Sequence, residues 1–146
     1  GRHWQPELGL GMLDAARAQG RRDPDTAAER VGREALAASA QAHLRRAGEL
    51  NPADMAVAYN LARVHNARGD AEAALAELRR AAAYQRKHVF YREQVGIQLR
   101  RMGRDAEALE VFRRNVADGV AGDVTRLNVR QLESRQAREA AAAPAP

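Results

Sequence analysis

Three stretches of this chain repeat at one fixed interval. AQAHLRRA over residues 40–47, ALAELRRA over 74–81 and ALEVFRRN over 108–115 each begin 34 residues after the one before. Ala40, Ala74 and Ala108 share that step, as do Leu44, Leu78 and Phe112. So do the arginine doublets Arg45-Arg46, Arg79-Arg80 and Arg113-Arg114. A period between about 20 and 50 residues marks stacked supersecondary units, each leaving a face that only its neighbour can cover. The period therefore predicts an array of similar helical units.

The spacing within each period predicts helices. Pro6 opens a first helix over residues 6–19, with Gly20 as its stop and Asp23-Pro24 as the next start. A long helix then spans 24–49, turning Ala28, Val31, Ala35, Leu36, Ser39, Ala40, His43, Leu44 and Ala47 inward. Asn51-Pro52 ends it. Two helical hairpins follow, over 53–84 and 88–117. Gly69 and Gly103, again 34 apart, stand where a tight helix–turn–helix connection needs positive φ. The arginine doublets are expected in the last turns of the returning helices, where cations complement the macrodipole. Asp123 is expected to cap a final helix reaching about residue 142.

Composition narrows the chemistry. Alanine, arginine, leucine and glutamate dominate, with one Trp, three Tyr and two Phe, which suits close helix packing. With no cysteine, disulfides and thiolate chemistry are excluded. No run of about 20 apolar residues is present to form a membrane-spanning helix. The net charge of +5 raises the question of nucleic acid, but the 24 cations are interleaved with 19 acids. Without an unbroken basic run or a stacking platform, that partner is disfavoured.

A catalytic site should show a nucleophile, a base and an acid converging. His3, His43, His65 and His88 form no i,i+4 pair and no cluster with cysteine, so no zinc site is expected. No phosphate-binding glycine string occurs. The reading is of a chain that is not an enzyme and takes no metal or cofactor.

The repeated positions resemble the tetratricopeptide repeat (TPR), whose 34-residue pattern runs large residue, Leu-Gly, Tyr, Ala-x3-Phe, Pro. Leu61-Ala62 and Val95-Gly96 stand at the Leu-Gly pair, and His65 and Leu99 at the Tyr. Ala74-x3-Leu78 and Ala108-x3-Phe112 match the second helix, and Pro52 the closing Pro. The departures lie at the ends. Ala35 stands where the first unit should carry its turn glycine, and Arg130 where a small residue is required.

The resemblance implies an all-α, antiparallel helix-hairpin stack, a TPR-like α-solenoid of about seven helices. Residues 1–23 would form a degenerate first helix and turn, 24–122 the repeats, 123–143 a C-terminal capping helix and 144–146 a tail. First helices of such repeats line a concave groove that holds a peptide. Carried over by register, the partner-binding residues would be Tyr59, Arg63 and Asn66, then Phe90, Glu93, Ile97, Arg100 and Arg101, then Leu127 and Gln131. Aromatic and arginine side chains are those that binding hot spots favour. The family's carboxylate clamp is not reproduced: Asn60 matches one position, but Tyr59 and Phe90 stand at its lysines.

The function implied is a non-catalytic scaffold or adaptor that binds a partner protein segment bearing acidic and apolar side chains. The alternative is an accessory domain of a larger bacterial envelope, polysaccharide or secretion assembly protein. Its motives are Gly1 at the start, the Pro-Ala tail and the Ala/Arg-rich composition. RNA or an anionic surface comes third. Self-association through an exposed end unit is a further expectation.

Overall fold

The computed structural model describes residues 26–146, which contain six α-helices: α1 (Ala27–Leu50), α2 (Met55–Ala67), α3 (Ala71–Tyr84), α4 (Val89–Arg101), α5 (Asp105–Ala117) and α6 (Asp123–Ala142). They divide into two units at Tyr84 and Gln85. The helix expected over residues 6–19 lies outside the described residues.

In the first unit, α1 starts with a capping box. The Thr26 hydroxyl accepts from the Glu29 amide at 3.1 Å, and the Glu29 carboxylate accepts from the Thr26 amide at 3.2 Å. The start expected at Asp23-Pro24 lies outside the described residues; the observed cap is the Thr-x-x-Glu string just beyond it. The inward face holds only in the second half of α1. Ala37, Ala40, Leu44 and Ala47 meet Val57, Leu61 and Val64 of α2 in one apolar cluster. Ala28 and Ala35 are exposed, and Val31 is 70% exposed, against expectation.

Asp54 caps α2 through the Ala56 amide at 2.9 Å, so this helix begins at Met55, two residues after the expected Ala53. The chain reverses at Gly69, φ 80°, with Asp70 N–H donating to the His65 carbonyl at 2.8 Å. Asp70 then caps α3 through the Ala73 amide at 3.0 Å. On α3, Ala74, Leu75, Leu78 and Ala81 are buried.

The second unit repeats this hairpin. Gly103 has φ 73°, and Arg104 N–H donates to the Leu99 carbonyl at 2.9 Å, the Asp70–His65 bond moved on by one 34-residue period. Val95, Gly96 and Leu99 of α4 are buried, as are Ala108, Leu109 and Phe112 of α5. At Gly96 the helices approach closely: the Phe112 ring lies where a side chain would be.

Helix α6 is held differently. Gly122 is its N-cap and supplies no side chain, and the expected cap, Asp123, is the first helical residue. The acceptor comes instead from α4. Glu93 Oε1 accepts from the Gly122 amide (3.1 Å), the Thr125 amide (3.0 Å) and the Thr125 hydroxyl (2.9 Å). Only Thr125, Asn128 and Leu132 of α6 are buried. Two ion pairs tie its outer turns to α5, Arg113–Glu133 at 2.7 Å and Arg135–Asp105 at 2.9 Å. Exposed pairs of this kind add little, about 0–1 kcal/mol each.

The arginine doublets are exposed, but only Arg114 lies in a last helical turn. Arg80 instead reaches back to Glu77, and Arg114 to Glu110. A macrodipole contact fades within one turn of the helix end, so it does not account for the other doublet residues.

Candidate functional site

Every residue expected to face a partner lies on α2, α4 or α6. In the first unit, Tyr59, Arg63 and Asn66 are all half-buried on α2. Buried Asn60 orders part of this face. Its amide Nδ2 donates to the Ala56 carbonyl at 2.8 Å, leaving Oδ1 to accept from Arg63 Nη1 at 3.2 Å.

The second unit repeats that device. Asn128, at twice the period from Asn60, donates Nδ2 to the Val124 carbonyl at 2.7 Å. Its Oδ1 then accepts from Arg100 Nη1, which also donates to Gln131 Oε1 at 3.0 Å. Ile97, Arg100, Arg101 and Asn128 line an open depression of about 330 Å³. The structure thus gathers three expected residues around one hollow and joins a fourth, Gln131, through Arg100.

The others fall into two groups. Phe90 and Leu127 are 39% and 46% exposed. Phe90 belongs to a ring cluster at the start of α4, 5.4 Å from Tyr91 and 6.4 Å from His88 between centroids. Glu93 is only 7% exposed and its Oε1 is committed to the start of α6. Its chemistry there is that of an internal anchor.

Asn128, His88 and Tyr91 were not among the expected site residues. For Asn128 the signal was in the sequence, since Asn128-Val129 repeats Asn60-Leu61. A second depression, about 320 Å³, lies in the first unit, floored by Leu44, Val57 and Leu61 and edged by Arg45, Glu49 and Arg80. Among the described residues, no three His, Cys, Asp or Glu side chains are grouped to hold a metal ion. No helix among them is long and apolar enough to cross a membrane.

No protein-family model matches the chain, and no curated protein does. Among solved structures, the chain is similar to the crystal structure of the Sgt2 TPR domain from Aspergillus fumigatus. The TM-score is 0.68 at 18% sequence identity, over 100% of this chain and 88% of that one. The likeness establishes the fold. The chain is an all-α protein with a TPR-like architecture, as the 34-residue period predicts.

Proposed function

We propose that this chain is a non-catalytic protein-interaction scaffold whose binding face includes the α4–α6 surface. The observation that carries the reading is the hollow of about 330 Å³ lined by Ile97, Arg100, Arg101 and Asn128. Exposed Phe90 and Leu127 lie on the same two helices. Apolar area beside arginines suits a partner segment that carries both apolar and acidic side chains. The TPR-like fold supports the reading, because helical repeats present extended surfaces for such segments. On α2, Tyr59, Arg63 and Asn66 are proposed as further contacts.

The test is capture of partners from the native organism's extract by three forms of the protein. These are the wild type, an Arg100→Glu/Leu127→Asp variant and an Arg79→Glu control, each confirmed equally helical. The reading expects a partner held by wild type and control and lost by the double variant. A partner held equally by all three would place binding on another face.

A further inference from the structure

We propose that Arg100 reads a carboxylate: its Nε–Nη2 edge takes the side chain of an Asp or Glu lying within the bound partner segment. The proposal rests on the protein-binding reading above and names the group that the hollow recognises.

A guanidinium presents two N–H groups along its Nε–Nη2 edge in a geometry that matches the two oxygens of a carboxylate. Four other arginines in the structure use that edge within the fold. Arg80 turns it on Glu77, Arg104 on Glu107 and Arg113 on Glu133, while Arg92 divides it between Asn115 and Asp118. Arg100 is the reverse case. Both of its hydrogen bonds leave from Nη1, to Asn128 Oδ1 and Gln131 Oε1. Its Nε and Nη2 meet no acceptor among the described residues, and the residue lines the hollow beside Ile97.

The orientation is imposed. Asn128 is 7% exposed, and its Nδ2 is engaged by the Val124 carbonyl, so Oδ1 must face Arg100. An amide oxygen accepts without neutralising the cation. Asn128 and Gln131 therefore hold the guanidinium while its full charge remains. A carboxylate at the same place would have consumed it. Arg101, exposed and joined to no described residue by a hydrogen bond or ion pair, adds a second cation at the rim. Two consecutive cations at the end of α4, with apolar Ile97 one turn earlier, fit an acidic side chain that has an apolar neighbour in the same segment.

The experiment follows the Nε–Hε signal of Arg100 by NMR in the whole chain, assigned by its loss in Arg100→Lys. Three blocked dipeptides are titrated separately: acetyl-Ile-Glu-amide, acetyl-Ile-Gln-amide and acetyl-Ile-Ile with a free C-terminal carboxylate. The Glu probe is expected to shift Arg100 to saturation and the Gln probe to leave it unmoved. Arg100→Lys, which keeps the charge but loses the fork, should bind the Glu probe about tenfold or more weakly. Arg79→Lys should bind it like wild type.

No shift with the Glu probe, or equal shifts with the Glu and Gln probes, overturns the proposal. A terminal carboxylate binding as well as the Glu probe also overturns it, by moving recognition to a chain end. These failures are separable from failure of the scaffold reading. A partner lost with Arg100→Glu/Leu127→Asp while Arg100 ignores the Glu probe would leave the binding face standing and remove only its carboxylate chemistry.

Discussion

A Cβ placed on Gly96 would stand 2.5 Å from Cζ of Phe112, a separation that real contacts do not show. Phe112 is fully buried, so its ring has nowhere to swing without opening the α4–α5 interface. Gly96→Ala would gain about 1 kcal/mol of helix propensity in isolation. Overpacking should outweigh that and leave a net loss of about 1–3 kcal/mol. Urea unfolding measures it, and adding Phe112→Leu should recover part of the loss. A Gly96→Ala protein as stable as wild type would contradict the packing described.

Glu93→Ala removes the carboxylate that accepts at the start of α6 and leaves the Gly122 and Thr125 amides without it. The expected cost is about 1–2 kcal/mol, the upper range for a lost helix cap. Since Leu132 is the one large apolar side chain that α6 buries, the loss should be local. Hydrogen exchange should speed up through α6 and stay unchanged in α2 and α3. Uniform acceleration in both units would count against this local role.

Thr26→Ala should cost about 1 kcal/mol through loss of the capping box, and Thr26→Ser much less. The readout is exchange at the amides of the first turn of α1.

Arg92→Ala should destabilise the second unit more than its partly exposed ion pair suggests. The guanidinium satisfies Asn115 Oδ1 at 2.9 Å, and Asn115 is 1% exposed. Leaving that oxygen unpaired costs about 1–3 kcal/mol. The double variant Arg92→Ala/Asn115→Ala should recover most of the loss, because one period earlier the same two positions are the buried alanines Ala58 and Ala81. Additive losses in urea unfolding would rule out the coupling.

Helix existence was largely legible because the repeat restates it. Leu44, Leu78 and Phe112 mark one position three times, and all three are buried. Gly69 and Gly103 announced their turns for the same reason. The start of α6 is legible to within one residue, but its acceptor is not: Glu93 is 29 residues before Gly122 and no local spacing links them. Apart from Arg114, the doublets fall short of the last turns for a related reason: the period fixes position within a unit but not distance from a helix end. On α1, apolar spacing continues through Ala28, Val31 and Ala35, although their side chains are exposed. Within the expected binding set, register places every residue on α2, α4 or α6. It could not show that Asn128 would hold Arg100 while Glu93 turned inward.

Chains of repeated units face a pairing ambiguity, since the return helix of one unit has much the same shape as that of the next. The Arg92–Asn115 pair removes it. Were α4 to fold onto α3, Arg92 would meet Ala81 in place of Asn115 and lose that acceptor. Were α5 to receive α2, Asn115 would face Ala58 and lose the partner of its oxygen. Two side chains, 23 residues apart in sequence, thus give the second hairpin an address of its own.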